Sequence, residues 1–264
     1  MSKEYLNQTR LIQELEALIE RDQVAAVNVA KTELAREVDV AARKIEETAE
    51  TSIAVISAQT EIAVTQITEN MEHASARMMA NTERSISIFG NKTSAQAQGT
   101  HAETTKAMVA KIAYIIQKEF TAIMISSVES IRLDAIRAIG DVQKAAADSI
   151  NEIKHFAEQA EITINRKAKS AADRLLTIMD GDKTPEALVS EAERAAQEIL
   201  DAAKVASALL KNTVDACVAR ITVQARDSEK RISALADTAK EKIVGLHKKA
   251  SDRIIKLVLI RSPT

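Results

Sequence analysis

A large apolar residue recurs every eleven positions along most of this chain. The series begins Leu34, Ile45, Ile56, Ile67, Met78 and Phe89. It resumes as Val109, Phe120, Ile131, Val142, Ile153, Ile164 and Leu175, and again as Leu188, Ile199, Leu210, Ile221, Ile232, Ile243 and Ile254. Four residues after these positions the chain often carries Ala, as at Ala135, Ala146, Ala157 and Ala168, or Ala192, Ala203, Ala225 and Ala236. Seven residues after them it is small again, at Ala41, Ser52, Ala63, Ala74, Ala195, Ala206, Cys217, Ser228 and Ala239. One large and two small residues thus fall on one face in every three helical turns. Eleven residues in three turns is about 3.67 per turn, close to a straight α-helix, so the stripe runs nearly along the axis. A heptad sequence would instead wind to the left. Small residues along a seam let neighbouring helices approach closely.

The register of the stripe shows where a helix must stop. The steps from Phe89 to Val109 and from Leu175 to Leu188 are not multiples of eleven, and a continuous helix would carry the stripe to roughly its opposite side at about 100° per residue. Turn-forming residues sit at both steps. Gly90 and Gly99 bracket a polar stretch, and residues 180–185 read Asp-Gly-Asp-Lys-Thr-Pro. There Gly181 ends one helix, Thr184 caps the next and Pro185 takes its first position. Gly140 lies inside unbroken register and reads as a helical glycine, costing about 1 kcal/mol against Ala and permitting a bend or a close contact.

The expectation is an all-α chain of long helices with a hendecad repeat, a coiled-coil rod of three helices in an up-down-up hairpin arrangement. Helix one falls within residues 1–89, a polar linker at 90–100, helix two at 101–180, a turn at 181–184, and helix three with a basic tail at 185–264. Each helix would be roughly 110–130 Å long at 1.5 Å per residue. Composition agrees. The chain has five aromatic residues in 264, no Trp, five Gly and two Pro. It therefore lacks the bulky side chains of a thick globular core and the turn formers of a many-element fold.

The same features exclude most chemistry. No phosphate-binding Gly-rich loop, CxxC pair, HExxH or GxSxG motif occurs. Glu152 and His155 share the E-x-x-H spacing of di-iron bundles, but Glu152 flanks the core position Ile153, and the pair reads as solvated surface. His247 stands at a small-residue core position and reads as a satisfied or edge histidine. Cys217 reads as a small core filler. Met71, Met78, Met79, Met108 and Met124 read as gap-filling core. Asp39/Arg43, Asp227/Arg231 and Asp252/Lys256 read as surface i,i+4 pairs. No catalytic, cofactor or metal residue is assigned, and the chain is read as no enzyme.

Net charge is −2, so no global field recruits nucleic acid or membrane and no small-molecule substrate is expected, yet the charge is uneven. Residues 1–50 carry seven Lys/Arg against eleven Asp/Glu; residues 241–264 carry six against two. In the tail, Ile243, Leu246, Ile254, Leu257 and Val258 form an apolar face. Lys242, Lys248, Lys249, Arg253 and Lys256 surround it, the composition of a membrane-surface or partner-docking helix. The most apolar window, 107–128, contains Lys111, Lys118 and Glu119 and makes a poor spanning segment. No signal peptide is evident and one cysteine fits a reducing compartment, so the expected address is the cytoplasm.

The leading expectation is a structural scaffold, spacer or filament component that self-associates through the alanine-rich hendecad seam. A second is a coat on an anionic membrane, lipid or storage-granule surface, since some lipid-bound helices also run on eleven-residue repeats. A third is a helical signalling rod, although such rods run on heptads.

Overall fold

In the computed structural model the chain forms three helices: α1 (Lys3–Thr93), α2 (Gly99–Met179) and α3 (Pro185–Ile260). They contain 91, 81 and 76 residues. The structure describes residues 3–93, 99–179 and 184–260. Within these, the side chain of Phe89 and those of Leu257 and Val258 are outside the described residues, as are 94–98 of the linker and 181–183 of the turn. Helix α1 runs past Gly90 to Thr93 and α2 starts at Gly99, so both helices extend into the stretch expected to be linker. A single Gly near a helix end costs too little to stop a helix of this length. At the start of α3 the carbonyl of Thr184 accepts from the amides of Ala187 (3.0 Å) and Leu188 (3.4 Å). Pro185 is then the first helical residue, where its missing N–H costs nothing.

The helices contribute to two compact units. One comprises Met1–Glu50 and Gln143–Thr222; the other comprises Thr51–Val142 and Val223–Thr264. Side-chain contacts fix the helix directions in each. In the first unit, Ser207 donates to Glu37 (2.7 Å) and Lys44 to Asp215 (2.9 Å). In the second, Gln59 bonds Ser233 (2.9 Å) and Asn81 reaches Ser251 (3.5 Å). These α1–α3 partners are 170 to 174 positions apart, the constant offset of parallel helices.

Helix α2 runs the other way. In the first unit Ile19 packs with Leu175 and Leu188, while Lys31 pairs with Glu161 at 2.8 Å, so ascending α1 meets descending α2. Likewise Glu152 faces Arg220 and, further along α2, Arg174 faces Glu198 and Glu191. The order is up-down-up.

Every stripe residue whose side chain is described is buried, from Leu34 to Met78 on α1, Val109 to Leu175 on α2 and Leu188 to Ile254 on α3. The small positions seven residues on are buried too, including Ala41, Ser52, Ala63, Ala74, Ala195, Ala206, Cys217, Ser228 and Ala239. Burying one Ile side chain is worth about 1.5–3 kcal/mol, so a stripe repeated on three helices is the main source of stability. Hydroxyls at core positions bond back to their own helix: Thr60 to the Ile56 carbonyl (2.7 Å), Thr82 to Met78 (2.8 Å) and Ser228 to Gln224 (2.9 Å). This satisfies the polar atom without a partner across the seam.

Candidate interaction surfaces

Burial of the stripe bears on the self-association expectation. In each unit the described stripe positions, from Leu34 to Ile254, are buried by helices of the same chain, so among the described residues the hendecad seam is filled within the chain. A partner of the folded chain would meet its outward faces.

In the tail, Ile243 and Ile254 are buried and Leu246 is half-buried, so the described part of the apolar face expected to dock elsewhere packs largely in its own unit. The basic residues do remain outside. Lys242, Lys248, Lys249, Arg253 and Lys256 are all exposed, and none has an ion-pair partner among the described residues. Positions 242, 249, 253 and 256 follow a helical spacing that places them along one side of α3.

Near the α2–α3 turn, Arg174 donates to Glu191 (2.7 Å) and Glu198 (2.8 Å), and Arg194 donates to Glu191 (2.7 Å). Burial pushes the Glu191 carboxyl up, but the two guanidinium hydrogen bonds and charges outweigh it and leave it below the ordinary value. The Arg174 guanidinium is correspondingly raised by its bonds to Glu191 and Glu198. Elsewhere in that unit, Lys44 lowers the Asp215 carboxyl. Nothing in local sequence pattern marked Arg174, because its partners lie 17 and 24 residues away on the next helix.

The E-x-x-H pair is split. Glu152 takes an ion pair with Arg220 (3.3 Å), whereas His155 lies 3.7 Å from Glu158, both exposed. No group of three His, Cys, Asp or Glu able to hold a metal ion occurs among the described residues. His247 is half-buried, as an edge histidine would be, and its Nε2 is enclosed without a hydrogen-bond partner among the described residues. Met78 is core, but Met79 and Met108 are exposed. Arg231 reaches across to Asp134 (3.3 Å), leaving Asp227 with Lys230, so the expected Asp227/Arg231 pair does not form.

Cys217 is buried, with Arg220 Nη2 3.5 Å from its sulfur and Glu152 Oε2 3.9 Å away. Helix α3 runs parallel to α1 of its own chain and does not bring two Cys217 together. Mild oxidation of the native protein should therefore leave it uncross-linked on non-reducing gels, and thiol reagents should label Cys217 only after denaturation. Rapid disulfide dimer formation in the folded state would contradict this placement, since bridging needs Cα atoms within about 7 Å.

Grooves of the first unit are modest. One between α1 and α3 encloses about 280 Å³ against Val40, Ala41, Leu210 and Val214, with Lys44 and Asp215 at its rim. One between α1 and α2, by Leu34, Val38 and Ala157, holds about 310 Å³. Large apolar side chains also recur on outward faces at the eleven-residue period. Leu18, Val29 and Val40 do so on α1, and Tyr114, Ile125 and Ile136 on α2. Gly140 is exposed beside the second strip, and a Cβ there would meet nothing within 4 Å, so no close contact in this chain explains it. No described helix is long and apolar enough to cross a membrane.

No family model matches the chain, and no curated protein matches it in sequence. Among solved structures it is similar to a computationally designed three-helix bundle, at 13% identity over 92% of this chain and 99% of that one, with a TM-score of 0.44. It is also similar to the haptoglobin-hemoglobin receptor of Trypanosoma congolense, at 15% identity over 89% and 94% of the two chains, with a TM-score of 0.24. At those values neither likeness bears on what this chain does.

Proposed function

We infer that this chain is a non-enzymatic structural protein, a scaffold, spacer or filament component that works by self-association through its outward faces. The observation that carries the reading is the filling of the core. One large and two small residues per three turns occupy the described interior of both units, which leaves side chains for packing and little room for a substrate. The acidic first 50 residues and the basic last 24 supply opposite charges for contact between molecules. Such a contact is heterologous, and one whose rotation does not close a ring gives open assemblies. A cytoplasmic address fits the single buried thiol.

A salt series on the full chain tests this, because exposed charges are screened over about 8 Å at physiological ionic strength. Light scattering should show particles larger than one chain at low salt that shrink as salt rises, with helicity unchanged. Reversing charge at Lys249 and Arg253 should reduce assembly. Deleting the tail would not serve, because it would remove Ile243 and Ile254 from the core. A single-chain mass at every salt concentration would overturn the reading.

The exposed basic row supports a second reading, contact with an anionic membrane or granule surface. With Ile243 and Ile254 buried and Leu246 half-buried, that contact would be mainly electrostatic. Pelleting with anionic vesicles, absent with neutral ones and lost on the same charge reversals, would favour it.

A further inference from the structure

We propose that the outward strip Tyr114, Ile125 and Ile136 on α2 is a pairing surface for a second copy of this chain. The three residues are 59%, 48% and 67% exposed. They repeat every eleven positions, so they form a line along the helix about 33 Å long at 1.5 Å per residue. Val128 and Ile139, both half-buried, border the line on one side, and exposed Leu133 borders it on the other. The strip explains why residues 107–128 are the most apolar window of the sequence: this part of α2 carries a core face and an outward face together.

Charge selects the occupant. Lys118 and Glu129 each lie four residues after a strip residue, on the same flank, and Arg132 lies four before Ile136, on the opposite flank. Lys118 sits over the Tyr114 ring, 5.1 Å from its centre. Glu129 is exposed and has no ion-pair partner among the described residues. In an antiparallel pair centred on Ile125, the same flanks face each other, and Glu129 lies within about one helical turn of Lys118 of the second copy. In a parallel pair the opposite flanks meet, and Glu129 lies equally close to Arg132 of the second copy. Either way the strip complements itself. An anionic surface would suit Lys118 and Arg132 but leave the carboxylate of Glu129 facing like charge, whereas a second copy pairs both signs. The comparable strip on α1 is less suited, because Glu33 beside it is already held by Arg36 of its own helix, with its carboxyl lowered by that bond.

The proposal rests on the self-association reading and names its surface. In a Cys217→Ala background, Ile125→Cys should cross-link two full-length chains under mild oxidation, since the residue meets itself in both orientations. A Lys167→Cys control should not cross-link. Sedimentation at high salt, where end charges are screened, should still show a dimer for the wild type and one chain for Ile125→Asp, with unchanged helicity. Glu129→Lys should weaken the dimer. Lys118→Glu should rescue that variant if the pair is antiparallel, and Arg132→Glu should do so if it is parallel. A wild type that assembles while Ile125→Asp assembles equally overturns this surface and leaves the self-association reading standing. A wild type that is one chain under all conditions overturns both, and so does one that pellets only with vesicles.

Discussion

Replacing Ile221 or Ile153 by Asp should lower the melting temperature far more than Lys167→Asp does. Both isoleucines are buried with no exposed surface, at the stripe positions of α3 and α2 in the first unit, whereas Lys167 is exposed. A carboxylate at either site loses the Ile packing and is taken out of water. Burying an unpaired charge, or forcing it to protonate, costs several kcal/mol. A marginally stable unit has only about 5–15 kcal/mol to lose, so partial or complete unfolding at room temperature is expected. A surface change such as Lys167→Asp belongs within about 0.5 kcal/mol. Equal melting temperatures by circular dichroism would mean that the eleven-residue stripe is not the core.

The second large effect concerns the arginine beside the α2–α3 turn. Arg174→Ala removes one of two cations from Glu191, whose side chain is only 11% exposed, and the nearer cation from Glu198. Hydrogen bonds to charged groups are worth about 1.5–3 kcal/mol, and Arg194 remains on Glu191, so a loss of about 2 kcal/mol is expected. The pH dependence has a definite sign. The folded-state Glu191 carboxyl lies below its ordinary value of 4.5. Its contribution is therefore present above that value and is lost as pH falls through the lowered one. Denaturant titrations below neutral pH should show stability falling with acid in the wild type and falling less steeply in Arg174→Ala. Parallel curves for the two proteins would show that the network does not contribute.

The sequence carried the core because its period is a geometric statement. A residue every eleven positions can only line one face of a nearly straight helix, and Leu34 to Ile254 are buried as that requires. The register steps marked both helix breaks, and Thr184–Pro185 marked the start of α3. What covers the stripe was not legible. The same pattern serves three helices of one chain or helices of several chains, and only contacts such as Glu37–Ser207, 170 residues apart, decide. The Arg174 network and the Arg220–Cys217 approach were hidden for related reasons. The former depends on antiparallel alignment, and the latter on the side-chain direction of a residue three positions away. The outward strip at Tyr114, Ile125 and Ile136 could have been found. It repeats at the same period as the core stripe, but the larger signal masks it within an already apolar window.

The central claim is that the stripe is buried within a single chain, and the dependence of thermal unfolding on protein concentration tests it most directly. The measurement is best made on Ile125→Asp at high salt, where outward pairing and contacts between charged ends are both removed. Binding between chains stabilises the folded state by mass action, so a core assembled from several chains melts at a lower temperature on dilution. A core closed within one chain predicts the same midpoint and the same helicity across a wide dilution series. A midpoint that falls steadily with dilution, with helicity lost at the lowest concentrations, would contradict the account.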